Sequence, residues 1–457
     1  MRTEKDSMGE MPVPDEALYG ASTQRAVLNF PISGHVLPAA FIRGLGLIKA
    51  VCARANRELG RLPAAKADLI EQGAREIAEG KWAREFPLDV FQTGSGTSAN
   101  MNANEVIANW AAQKTGHRLG GKEPLHPNDD VNHGQSSNDI IPTVLHVSVA
   151  LELKTALRPA LQHLAAKLDE KAAAFADVIK IGRTHLMDAT PLTLGQEFSG
   201  YAAQAHKAAD RAARAAQALT ELAIGGTAVG TGINGDPKFS GLVCRLLAEE
   251  TGIPFREAAN HFEAQGGRDD AVEVAGQLSA IAAALAKIAN DLRWLASGPR
   301  AGLGEIVLPA TQPGSSIMPG KVNPVMSEML VQVSLYVQGL CGTVAACGRE
   351  GNFELNVTLP LIAYCLHEAV HCLANGARVF ADRCVAGIEA DAARCRELTE
   401  RSLMLVTALN PLIGYDKAAQ VAKEAHASGK TLREVVLAKG WLDAAALDKA
   451  LDPRSMT

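Results

Sequence analysis

The sequence predicts an all-α protein: a central bundle of long helices with smaller, mostly helical parts at each end. Three observations carry this. Aromatic residues make up only 4% of the chain while alanine is abundant, a balance that suits closely packed helices better than a sandwich or barrel. Between about 140 and 380, apolar residues recur at helical spacing: Leu157, Leu161, Leu164 and Leu168; Leu278, Ile281, Leu285, Ile288, Leu292 and Leu295; Met326, Leu330, Val333, Val337, Leu340 and Val344. The steps alternate between three and four, and an average of about 3.5 is the knobs-into-holes period, so the helices should pack at shallow angles. Helices that long outrun one domain and should also pack against other subunits.

At 457 residues the chain has room for more than one domain. Residues 1–135 mix short helical pieces with loops, 136–390 form the bundle, and 391–457 form a small helical domain. A net charge of −5 and a pI near 6.2 give no basic field, which excludes nucleic acid and anionic membrane as natural partners and suits a soluble enzyme. The start, Met1-Arg2-Thr3-Glu4-Lys5-Asp6, lacks the apolar run of a leader, so the expected compartment is the cytoplasm. The most apolar helical stretch, Ala280 to Ala289, is interrupted by Lys287; it reads as too short to span a bilayer, and no membrane segment is expected. Eight cysteines, none in a C-x-x-C pair, read as reduced core residues and weigh against an iron–sulfur centre.

In chain order, a helix is expected from Pro38 to Leu59. The run Gln92 to Asn102 then places Ser95, Gly96 and Thr97 before a helix that Asn104 to Trp110 suggest. Small hydroxylated residues at a helix N-terminus can receive a carboxylate, because free N–H groups and positive potential meet there; a simple turn and cap would show the same spacing. Next come His126-Pro127-Asn128-Asp129 and Ser136-Ser137-Asn138, two polar clusters just before a long helix. The second should cap that helix and offer hydroxyls and an amide to an anion. Thr184-His185 lies between helices, where a lone histidine is more often structural than catalytic.

The densest chemistry is Gly314-Ser315-Ser316-Ile317-Met318-Pro319-Gly320-Lys321-Val322-Asn323-Pro324. Glycines let this backbone bend tightly and prolines restrict it. Its N–H groups can form an anion-binding nest to which Lys321 adds charge and Asn323 an amide, and a serine inside the nest would lose its proton more readily. Three other motifs carry less. Gly230 to Gly235 fits G-x-G-x-x-G, but Asp236-Pro237 follows where a helix should begin. Gly314 to Lys321 is one residue too long for a P-loop, with Val322 in place of the magnesium-binding hydroxyl. His367-Glu368-Ala369-Val370-His371 is a true H-E-x-x-H match, yet no third zinc ligand can be assigned.

The 314–324 loop resembles the signature of the fumarase/aspartase superfamily, and the resemblance runs through most of the chain. Met8-Gly9-Glu10 with Tyr19 to Arg25 is similar to the opening of class II fumarases, and Phe353 to Val357 and Leu409 to Ala419 resemble later segments of the same family. The resemblance implies hydration of fumarate with no metal or cofactor, by a homotetramer in which three subunits build each site. It implies Ser315 as base, His185 as the group handling water or hydroxyl, and Glu328 as its support. Substrate contacts would come from Ser95, Gly96, Thr97, Ser136, Ser137, Asn138, Thr184, Ser316, Lys321, Val322 and Asn323. A secondary dicarboxylate site would use His126, Pro127, Asn128 and Asp129, although Glu123 stands about where some members place a basic residue. Fumarases carry Thr-His at 184–185 and aspartases typically Thr-Gln, which points to water rather than ammonia as the leaving group. Val325-Met326-Ser327 is less fumarase-typical, so an aspartase-like ammonia-lyase stays open, and so does a non-catalytic helical scaffold.

Overall fold

The computed structural model describes residues 1–457. Most of the chain is helical, and its strands pair only two at a time, as the all-α reading expects. By its internal contacts the chain divides into two compact units. The first comprises Met1–Pro159, Ala209–Ala282 and Val333–Asn375; the second comprises Ala160–Ala208, Ala283–Gln332 and Gly376–Thr457.

In the first unit, helix Ala39–Glu58 is flanked by Pro38 and Leu59, the two residues between which periodicity placed it. Its residues from Gly44 to Ala53 are all buried, because helices Ala64–Ala78, Thr97–Thr115 and Ser137–Glu152 pack around it. The second unit carries a hairpin, strands Ile179–Thr184 and Met187–Thr193, and a C-terminal cluster built on Leu405, Leu409, Val421, Val435, Val436 and Leu447.

The seams are real. Leu157, Leu161, Leu164, Leu168 and the six residues from Leu278 to Leu295 are all buried, each contributing roughly 1.5–3 kcal/mol. All eight cysteines are free thiols, seven of them buried, and burial pushes Cys52 up to about 12. One expectation is corrected. Stretches Ser137–Ala174, Asp269–Leu295 and Val325–Gly348 are each long and apolar enough to cross a membrane. Lys287 does not interrupt the second of these, because it points outward to Asp291 at the helix surface while the seam continues beside it.

Candidate active site

The first unit brings two of the sequence-defined segments together. Gly96 precedes helix Thr97–Thr115 with φ of +73°, a left-handed conformation suited to glycine, and a Cβ there would press on Ile141. The turn leaves the Thr97 and Ser98 amides without a partner in the chain, while Ser95 and Thr97 hydroxyls lie 2.8 Å apart. Ser136 caps helix Ser137–Glu152 in a reciprocal box with Asp139. From helix Thr97–Thr115, the Asn100 amide donates to Ser137 Oγ at 3.2 Å, and Asn138 Nδ2 donates to the Ala228 carbonyl at 2.8 Å. Ser95–Thr97 and Ser136–Asn138 thus share one polar surface above two helix N-termini.

Beneath it lie residues that motif reading missed. Asp139 is fully buried and accepts from the amides of Ser136, Gly225 and Thr227; burial raises it to about 6 against those bonds. Lys49, 1% exposed, donates to Asn132 Oδ1 and Gln135 Oε1 at 3.0 and 2.9 Å. The available signal was a lone lysine inside the apolar run Leu47 to Ala53.

His126 spends its Nδ1 accepting from the Asn128 and Asp129 amides, capping its own turn. Pro127 lines a 40 Å³ cavity with Lys5 and Lys122 but also Glu4, Glu105 and Glu123. Acids outnumber lysines there, a poor setting for a dicarboxylate.

The second unit holds the remaining segments. His185 and Leu186 form the two-residue turn between Thr184 and Met187, with φ of +57° and +61°. Two left-handed central residues are what a type I′ hairpin demands, normally of Asn or Gly. The hairpin base is fixed by buried charge: Glu305 receives both terminal nitrogens of Arg183 at 2.8 and 3.0 Å, and Lys180 bridges Glu305 and Glu197. Glu305 therefore ties the hairpin carrying His185 to strand Ile306–Val307, which follows it and leads toward the 314–324 loop.

That loop closes on itself. Gly314 N donates to the Lys321 carbonyl at 2.9 Å and Asn323 Nδ2 to the Gly314 carbonyl at 2.6 Å. Inside the turn, Ser315 Oγ accepts from the amides of Ile317 and Met318 at 3.3 and 3.0 Å. Two donors aimed at one hydroxyl oxygen stabilise its deprotonated form. Ser315, Gly320, Lys321 and Val322 line a 480 Å³ cavity. Ser316 and Lys321 are exposed. Within the chain, Lys321 makes no ion pair, and none joins Glu328 to His185.

The other motifs lose their function here. In the G-x-G-x-x-G region the Asp236 carboxylate accepts from the Lys238 amide at 2.9 Å and pairs with Arg61, placing negative charge just ahead of helix Phe239–Thr251, where a pyrophosphate would sit. Both ring nitrogens of His367 are engaged, by Ser148 at 2.9 Å and Glu152 at 2.6 Å, and His371 faces Asn375; His367 has no nitrogen left for a metal.

The pattern of a family described as "Lyase" matches residues 9–339, and one described as "Fumarase C C-terminus" matches residues 405–457. A fumarate hydratase class II of Chromobacterium violaceum is 53% identical over 456 residues, covering 100% of this chain and 99% of its own. One of Thermosynechococcus vestitus is 52% identical, covering 98% and 96%. The crystal structure of a class II fumarase from Schistosoma mansoni superposes with a TM-score of 0.97 at 40% identity, covering 100% of this chain and 98% of that one. A serine held in a self-closed nest beside a lysine, a hairpin-tip histidine and this full-length likeness agree: the chain belongs to the class II fumarases of the fumarase/aspartase superfamily.

Proposed function

We propose that this chain adds water reversibly to fumarate, giving L-malate. The observation that carries the proposal is Ser315 Oγ held by two backbone N–H groups in the loop that also presents Lys321. In the malate direction Ser315, as alkoxide, takes a proton from the carbon next to a carboxylate, and the electron pair moves into that carboxylate as an aci-dianion. The pair then returns to form the double bond as the hydroxyl leaves, protonated by His185, as water. The carbon acid is very weak, so Lys321, Asn323 and the loop amides act by stabilising the charge that develops. Ser95–Thr97 and Ser136–Asn138 receive substrate carboxylates, with Thr184, Ser316 and Val322 completing the pocket. The reaction as written calls for no metal or cofactor.

The same reading makes the enzyme a cytoplasmic homotetramer with sites shared among chains, Glu328 of one copy supporting His185 of another. Less than half of the apolar window is buried in helices Asp269–Leu295 and Val325–Gly348, 44% and 39%. Leu335 and Tyr336 stand exposed on the latter. Charged residues such as Lys287 and Asp291 on those faces suit another copy better than lipid. The division at 1–135, 136–390 and 391–457 belongs to this reading; the C-terminal family match starting at 405 supports its last boundary.

The test follows fumarate absorbance with malate and with aspartate, with a chelator present. Formation of fumarate from malate, and none from aspartate, is expected. Ammonia release from aspartate would assign the ammonia-lyase reading instead, and activity lost to the chelator would overturn the metal-free mechanism.

A further inference from the structure

Resting on that proposed function, we infer that Lys49 is a positioning residue whose buried charge is matched to the substrate dianion, so that dicarboxylate binding draws a proton onto it. The side chain is enclosed by helix Ala39–Glu58, helix Ser137–Glu152 and the turn before it, and its nitrogen meets only two neutral amide oxygens, those of Asn132 and Gln135. A buried ammonium without a carboxylate at ion-pair distance is unfavourable, and an apolar side chain of similar volume would serve the packing better. Its surroundings explain its place. Asn132 Oδ1 also accepts from Asn100 Nδ2 at 3.1 Å, and that same nitrogen donates to Ser137 Oγ at 3.2 Å. Three hydrogen bonds therefore run from Lys49 to the serine proposed to receive a carboxylate. Asn100 itself lies in the first turn of the helix that Thr97 opens.

The titratable groups facing Lys49 are few. Cys52 lies on its own helix and Asp139 on helix Ser137–Glu152; Cys244, on helix Phe239–Thr251, faces Cys52. Helix Thr97–Thr115 presents the Asn100 amide and the 132–135 turn the Asn132 and Gln135 amides, while His133 of that turn engages the Asp129 carbonyl instead. Burial lowers Lys49 to about 7, whereas Asp139 is raised to about 6 and already engaged by three amides. Burial therefore favours the neutral amine of Lys49 in the free enzyme. A dianion nearby favours the charged form, so binding and proton uptake are coupled and reciprocal.

Lys49→Met tests this by removing the charge while keeping the stem. The KM for fumarate should rise about tenfold at pH 6.5 with kcat little changed, and the gap to wild type should close toward pH 9, where Lys49 is neutral in both states. Calorimetry of succinate binding at pH 8 in buffers of different ionisation enthalpy should show wild type taking up a fraction of a proton and Lys49→Met none. Equal KM values at pH 6.5, a gap independent of pH as loss of a merely structural amide contact would give, or uptake retained in the mutant would each overturn the inference. Should the variant not fold, wild type alone decides, since absence of uptake between pH 7 and 8.5 is incompatible with it. A wild type that neither hydrates fumarate nor binds succinate refutes the functional reading, and this inference with it; an active wild type with a pH-independent gap refutes only the role of Lys49.

Discussion

The Ser136–Asp139 segment and the Gly314–Pro324 loop are built from the same kinds of residue, yet they are held in opposite ways. The first is braced by its neighbours: Asn100 from one helix, Ala228 and the Gly225 and Thr227 amides from a loop, while Lys49 holds the Asn132 and Gln135 side chains of the turn before it. The second is held almost entirely by itself, through Gly314, Ser315, Met318, Lys321 and Asn323, and Ile317 at its tip is 83% exposed. A braced segment fixes positions in advance, which suits binding. A self-closed, exposed loop keeps its own nest while remaining free to meet what other chains bring, which suits a reactive group completed by assembly. Breaking the first should therefore cost stability and KM, and breaking the second turnover.

The largest contrast is expected from serine. Ser315→Ala should lower turnover by about a thousandfold or more with thermal unfolding unchanged, since it removes the proposed base from an open turn. Ser137→Ala should instead raise KM and lower the unfolding temperature, because it strands a buried Asn100 donor. Near-normal turnover for the first, or a pure turnover defect for the second, would break the division.

Next is His185→Gln, which keeps hydrogen-bonding capacity but cannot titrate near neutral pH. Fumarate hydration should fall about 10²–10⁴-fold, without gain of ammonia-lyase activity. A wild-type rate would make His185 a structural turn residue.

Glycines sharpen the comparison at smaller scale. A Cβ on Gly94 would collide with the Val357 carbonyl, whereas one on Gly320 would meet nothing within 4 Å. Gly94→Ala should cost about 3 kcal/mol, because backbone must move; Gly320→Ala should cost only about 1 kcal/mol, for its φ of +81°. Similar losses in denaturant titrations would mean that the 314–324 loop is as firmly set as the 94–97 turn.

These outcomes also bear on what could be read in advance. The bundle was legible because Leu278 through Leu295 repeat with a period that only a buried helical seam explains, and all six are buried. The loops were legible as polar runs between glycines, and the family resemblance named their roles. The hairpin under His185 was not. Its strands are short and mixed, and what fixes them, Glu305 with Arg183, joins residues 122 positions apart, a separation no local periodicity encodes. Lys49 was hidden differently: Ile48-Lys49-Ala50-Val51 reads as one tolerated charge on a helix, and only the fold reveals that no face of that helix is left for it to reach water.

Leu186→Gly should have the smallest effect and asks the most pointed question about the exposed half. Leu186 is 65% exposed at φ of +61°, where a leucine is strained by about 1–2 kcal/mol and glycine is not. Glycine also gains more freedom in the unfolded chain, which offsets about 0.5–1 kcal/mol. On the isolated chain the balance is a stabilisation of at most about 1.5 kcal/mol, with kcat unchanged, since the turn keeps its geometry. If the hairpin tip is completed by other copies, Leu186 is covered in the assembled enzyme, and its removal deletes apolar contact as well as strain. The substitution then destabilises the assembled enzyme, and the small gain seen on dilute, dissociated chains turns into a loss as protein concentration in the unfolding experiment rises. A small gain independent of concentration would leave His185 on a free-standing turn and count against the shared site.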